Sequence, residues 1–131
     1  IYSYSKMRSA ADVPPRIANW YIEAKKIAKL LSGSNIKLFA PYEINSYISY
    51  VKIINPSAYE FLRGISGADV RREILYEVIN NKTFRNGIVY IWCDWWPLGV
   101  NIVEHIKKGV NILYTSDHYV VFTRGDVPGS V

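Results

Sequence analysis

The stretch Ile88–Cys93, Ile-Val-Tyr-Ile-Trp-Cys, is a near-continuous apolar run stopped by a carboxylate, Asp94. A strand that alternates apolar and polar residues can keep one face in water. One with no polar face must be covered on both sides, as the inner strands of a parallel sheet are. The residues after Asp94 fit that setting: Trp95, Trp96, Pro97 and Gly99, then Val100, Val103 and Ile106 at helical spacing, Gly109 as a stop, and Val110–Tyr114 as the next buried strand. In a doubly wound sheet, the carboxyl end of a strand and the start of the following helix line the ligand-binding crevice. Asp94 and Glu104 are therefore the first candidates for chemistry.

The chain has 131 residues, which predicts one α/β domain over 1–131, with 124–131 as an irregular tail. Half the residues are hydrophobic and 15% are aromatic, yet no apolar run approaches the roughly 20 residues that span a bilayer. A soluble domain with no membrane partner is expected. The formal charge of +5 raises the question of nucleic acid, since clustered cations release counterions from a phosphate backbone. Here the cations are dispersed: Lys25, Lys26 and Lys29 on one helix, Arg71 and Arg72 on another, Lys107 and Lys108 near the end of a third. They read as solvated helix faces, with nucleic acid the less favoured partner. The one cysteine, Cys93, sits inside the apolar run and cannot form an internal disulfide, which points to a reducing, cytoplasmic setting. No charged-then-apolar leader opens the sequence, so no signal peptide is expected. His105 and His118 have no cysteine or carboxylate at zinc-ligand spacing; no metal and no cofactor are expected.

Taken in order, Ile1–Tyr4 is a β-prone run. The polar piece Ser5–Val13 after it is either the first strand-to-helix loop, at the functional edge of the sheet, or a frayed terminus. Asp12, Pro14 and Pro15 open a helix running to Leu31, with Ile17, Trp20, Tyr21, Ala24, Ile27, Ala28 and Leu31 as its apolar stripe. Ile36–Ala40 is a strand stopped by Pro41. Tyr42–Asn55 fits an additional strand and an irregular aromatic lid equally well. Asn55-Pro56-Ser57 opens a short helix ending near Gly64, Asp69 caps a helix to Asn81, and Tyr119–Thr123 is a last strand. Together these predict a three-layer flavodoxin/Rossmann-like domain with a mainly parallel sheet of Ile1–Tyr4, Ile36–Ala40, Ile88–Cys93 and Val110–Tyr114, and helices near Pro14–Leu31, Asp69–Asn81 and Gly99–Lys108. The carboxyl ends of Ile1–Tyr4 and Ile88–Cys93 should lie side by side, gathering Ser5, Arg8, Asp94 and the amino terminus of the Gly99 helix. Trp92, Trp95, Trp96 and the Tyr47–Tyr50 region hold more aromatic surface than so small a core encloses, which predicts a homo-oligomer.

Four stretches carry a family resemblance. Ile1-Tyr2-Ser3-Tyr4-Ser5-Lys6-Met7-Arg8-Ser9, the Asn19-Trp20 pair on the next helix, Phe39-Ala40-Pro41 closing a strand, and Asp94-Trp95-Trp96-Pro97-Leu98-Gly99-Val100-Asn101-Ile102-Val103-Glu104 together resemble the nucleoside 2-deoxyribosyltransferase-like proteins. That family has a hydrophobic strand ending in Asp, then S-x-G-[TA]-x-x-E on a helix. This sequence departs from it: Pro97 replaces the Ser, Val100 replaces Thr or Ala, and Glu104 lies five positions after Gly99 rather than four. The resemblance implies a small-molecule nucleoside or nucleotide as partner and transfer or hydrolysis at an N-glycosidic bond. It casts Glu104 as carboxylate nucleophile and Asp94 as the group that steers sugar hydroxyls or protonates the leaving base. Tyr2, Tyr4 and Trp95 would stack on a ring, with Ser5, Arg8 and the Gly99 backbone completing the substrate site.

Asp94-x-x-Pro97-x-Gly99 after a hydrophobic strand also resembles the toprim domain, in which paired aspartates and a glutamate hold a divalent cation for phosphodiester chemistry. Glu43 would stand for the glutamate, while Trp96 occupies the second aspartate's position. A third reading has no catalysis: a basic, aromatic-rich structural or regulatory module that assembles with itself or with partners.

Overall fold

The computed structural model describes residues 20–32, 35–55, 57, 65–69, 71–81, 84–85, 87–105 and 110–125. Its elements are α1 (Trp20–Leu31), β1 (Ile36–Ala40), α2 (Tyr42–Ile54), β2 (Ile65–Asp69), α3 (Arg72–Asn81), β3 (Ile88–Cys93), a 3-10 turn (Gly99–Glu104), β4 (Val110–Thr115) and β5 (Tyr119–Arg124). The five strands form one sheet in the order β2-β1-β3-β5-β4. The expected strand Ile1–Tyr4, with Tyr2 and Tyr4, lies outside the described residues, as do Ser5 and Arg8.

β3 runs parallel to β1, and every one of its residues is buried, as an apolar run with no polar face requires. Its other neighbour, β5, is antiparallel, and β5 pairs antiparallel with β4 as well. Two of the four strand pairings are therefore antiparallel, and this mixed sheet replaces the mainly parallel, three-layer flavodoxin/Rossmann-like arrangement expected from the sequence. The reason is connection length. A parallel neighbour needs a crossover of about a dozen residues or more, whereas Ser116–His118 leaves room only for a hairpin. β5 folds straight back and slots between β3 and β4. Val110–Tyr114, expected as a buried strand, becomes the sheet's edge. Asn111, Ile112 and Thr115 are exposed there, and the register shifts between Ile112 and Tyr114.

Register sorts the core into two faces. Leu38 pairs with Val89, Ile91 with Val121 and Cys93 with Tyr119, so these side chains share one face with Ile36 and Ala40. α1 and α2 cover it through Ala24, Ile27, Ala28, Leu31, Ile44 and Ile48, all buried. Phe39, Tyr90 and Phe122 line the other face. Phe84 packs edge-on against Tyr90 and Phe122, and α3 adds Leu75 and Val78.

The middle of the chain departs most from expectation. Tyr42–Ile54 is neither a strand nor a lid but a helix. Its residues are β-prone, yet Ile44, Tyr47, Ile48 and Val51 recur at spacings of three and four, so one helical stripe buries them against α1 and β1. Asp69 ends β2 rather than capping a helix, and α3 begins at Arg72. β2 carries Gly67 where α2 crosses it, because a Cβ there would collide with the Asn45 side-chain carbonyl.

The tryptophans are spent on the core. Trp92 is fully buried and donates its indole N–H to the Pro97 carbonyl at 2.9 Å, and Trp96, also buried, meets it edge-on at 5.0 Å between centroids. Of the aromatic residues expected to exceed the core, Trp92 and Trp96 are buried in it, Trp95 and Tyr47 are partly buried, and Tyr50 is exposed. No helix among the described residues is long and apolar enough to cross a membrane.

Candidate functional site

The carboxyl ends of two adjacent parallel strands, β1 and β3, lie side by side. Past β1, Pro41 turns the chain into α2, and its carbonyl accepts the N–H groups of Ile44 and Asn45. This places Glu43 in the first turn of α2, where it is only 2% exposed. Past β3 the chain makes a tight turn at Asp94. The amide of Trp96 donates to the Cys93 carbonyl at 3.2 Å, and that of Gly99 to the Trp96 carbonyl at 2.8 Å. Leu98 adopts φ 72, the left-handed region that costs a bulky residue on the order of 1 kcal/mol or more. Gly99 follows at φ 53, where a Cβ would press against the Asp94 carbonyl at 3.1 Å. Trp92, bonded to Pro97, holds this strained turn down on the core and fixes where Asp94 stands.

The β4–β5 hairpin brings the partner. Asp94 donates its amide to the His118 carbonyl at 2.9 Å, and its carboxylate oxygen Oδ2 lies 2.8 Å from His118 Nδ1. Both side chains keep some exposure, 16% for Asp94 and 28% for His118, so the pair reaches the protein surface rather than lying in the core. With Nδ1 engaged by a carboxylate, Nε2 is the nitrogen left to exchange protons.

Two further carboxylates stand nearby, each with hydroxyl partners. Glu43 accepts from the buried Tyr119 hydroxyl at 2.7 Å, and Glu23 of α1 accepts from Tyr114 at 3.0 Å and from Ser116. Burial first, and then the Glu43 charge, push the Tyr119 phenol far above its ordinary range. Cys93 is raised strongly for the same reasons, burial before the charges of Glu43 and Asp94. It stays a thiol and takes no part as a nucleophile. Tyr114 is raised by burial and by its bond to Glu23.

The other expected site residues are more scattered. Trp95 is half-buried beside Trp96, and Gly99 opens the 3-10 turn. Glu104 closes that turn and is exposed. A 3-10 helix advances about 120° per residue, against about 100° in an α-helix. Five such steps from Gly99 leave Glu104 on a different side from that reached by four α-helical steps. For the toprim comparison, Glu43 and Asp94 do come after neighbouring parallel strands. Trp96, at the second aspartate's position, is buried against Trp92, and Glu43 is committed to Tyr119. Among the described residues no group of three or more His, Cys, Asp or Glu side chains is arranged to hold a metal ion.

Sequence reasoning missed His118, Ser116, Glu23 and Tyr119. The signal for His118 was present in the hairpin: with Cys93 opposite Tyr119 in an antiparallel pair, one step forward and one step back set Asp94 opposite His118. Fold and site together define a mixed α/β domain whose polar side chains converge at the carboxyl edge of its parallel strands. No family model matches the chain, and comparisons with curated proteins and with solved structures give no match either.

Proposed function

We propose that the domain binds a nucleoside or nucleotide at the carboxyl edge of β1 and β3 and cleaves or transfers its N-glycosidic bond, with Asp94 and His118 as the acid–base pair. The observation that carries this reading is the 2.8 Å contact between Asp94 Oδ2 and His118 Nδ1, at the end of the strand that organises the sheet. A carboxylate on Nδ1 orients the ring and fixes which nitrogen faces outward. The imidazolium gives its Nε2 proton to the base nitrogen as that nitrogen takes the electron pair of the breaking bond. The neutral ring then accepts a proton from the water or hydroxyl that attacks the anomeric carbon. Such positioned proton transfer contributes about 10²–10⁴ in rate. The family resemblance around Asp94 supports the choice of bond, and the exposed Glu104 is the carboxylate that the resemblance casts as nucleophile.

The test is release of free base from a panel of nucleosides and nucleoside monophosphates, monitored by chromatography. His118→Ala and Asp94→Asn should each lower turnover by about two orders of magnitude or more. Unchanged activity in Glu104→Ala would remove the nucleophile assignment and leave water as the attacking group. No release from any member of the panel would sink the N-glycosidic reading in favour of a binding module.

Self-association belongs to the same proposal, supported by α2, where Tyr50 of the Tyr47–Tyr50 region, Ile53 and Ile54 are exposed at helical spacing. Light scattering that gives a monomer mass at micromolar concentration removes it.

A further inference from the structure

One hydroxyl braces the turn that carries the His118 ring. Ser116 opens the β4–β5 turn, and its amide donates to the Tyr119 carbonyl at 2.8 Å. Its Oγ accepts the amide N–H groups of His118 at 3.3 Å and of Tyr119 at 3.1 Å, while its own proton goes to Glu23 Oε1. A serine hydroxyl has one proton and two lone pairs, and it rotates among partners unless something claims the proton. A carboxylate claims it more strongly than a neutral acceptor does. With the proton fixed on Glu23, both lone pairs face the turn and receive the two amides. The turn in turn aims the His118 carbonyl at the Asp94 amide and the ring Nδ1 at Asp94 Oδ2. Glu23 is itself held by the Tyr114 hydroxyl, so the chain of bonds is anchored in α1 and in β4.

We propose that Glu23 is a positioning residue: acting through Ser116, it locks the β4–β5 turn so that His118 meets Asp94 with its proton on Nδ1 and presents a bare Nε2. The inference rests on reading Asp94 and His118 as the acid–base pair, and it assigns work to a helix that contributes no group to that pair. The ring itself meets the Asp94 carboxylate, while Glu23 of α1 and Tyr114 of β4 reach the turn through Ser116 and each other.

The tautomer of a neutral imidazole is visible in its ring ¹⁵N shifts, so the test needs no substrate. The chain has two histidines, and a His105→Gln background leaves the His118 signals alone. At a pH where the ring is neutral, His118 should be predominantly the Nδ1–H form. Ser116→Ala and Glu23→Ala should each move it toward the Nε2–H form that free imidazole side chains favour. Ser116→Thr, which keeps the hydroxyl, should preserve the Nδ1–H form, and Glu23→Gln, which leaves a weaker neutral acceptor, should shift it less than Glu23→Ala does. Ser116 and Glu23 are both half-exposed, so the variants are expected to fold, and either alanine variant alone decides the matter. Retention of the Nδ1–H form in the alanine variants overturns the positioning role while leaving the Asp94–His118 pair intact. A wild-type ring in the Nε2–H form overturns both. If the tautomer behaves as predicted but no base is released from any nucleoside, only the reading of the reaction falls.

Discussion

The bond between Tyr119 and Glu43 is where this fold carries its most exposed risk, and burial sets the size of that risk. Tyr119 is fully buried, Glu43 is 2% exposed, and the phenol oxygen stands 2.7 Å from Oε2. Tyr119→Phe removes one donor and almost nothing else, and water has no route to replace it. Hydrogen bonds to charged groups contribute about 1.5–3 kcal/mol, so a loss of about 2 kcal/mol is expected. For a domain of this size that lowers the thermal midpoint by about 8 °C, taking about 4 °C per kcal/mol. A double-mutant cycle isolates the bond. Glu43→Met in the Tyr119→Phe background should cost less than it does alone, with a coupling of about 1.5 kcal/mol measured by urea denaturation, because removing both partners leaves neither one's loss to be felt twice. A Tyr119→Phe protein within about 0.5 kcal/mol of the parent, or a cycle that adds up, would refute the claim that this bond stabilises the fold.

Trp92→Phe keeps an aromatic ring in the core but removes the N–H that ties down Pro97. It should cost about 2 kcal/mol and speed hydrogen exchange at the amides of Trp96 and Gly99 more than at those of β5; uniform exchange would show that the indole does not hold the turn. Stability should also fall in alkali. The Cys93 thiol and the Tyr119 phenol are raised strongly in the fold, so they stay protonated while their unfolded counterparts ionise from about pH 8.5 for the thiol and about 10 for the phenol. Their contribution is complete below those unfolded values and is lost as pH rises above them, at about 1.4 kcal/mol per pH unit for each proton. Cys93→Ala should flatten the first part of that decline, between about pH 8.5 and 10, in melts monitored by circular dichroism.

How much of this was legible depended on whether a residue's role was local. Ile88–Cys93 carried its own answer, since an apolar run without a polar face has to be covered on both sides, and β3 is buried throughout. Ile36–Ala40 was equally self-contained, and so was the α1 stripe from Ala24 to Leu31, although Tyr21, expected on that stripe, is exposed. Tyr42–Ile54 was not: its tyrosines and isoleucines favour strands, and only their spacing of three and four marks the helix they form against α1. β2, with Ser66 and Gly67 at its centre, has no apolar pattern to announce it, and becomes a strand because β1 offers a parallel edge beside it.

The same distinction divides the site. Asp94 could be found from its own neighbours, because a carboxylate ending a buried strand has to face a partner or a cleft. His118 could be found only through topology, and the expected parallel placement of Val110–Tyr114 pointed elsewhere. The short Ser116–His118 link already argued for a hairpin. Once β5 returns antiparallel beside β3, the pairing of Cys93 with Tyr119 forces Asp94 and His118 together, and Ser116 comes within reach of Glu23. One misjudged connection thus altered the sheet and concealed the partner of its central carboxylate, because in this domain a single turn sets the strand direction and also supplies the imidazole.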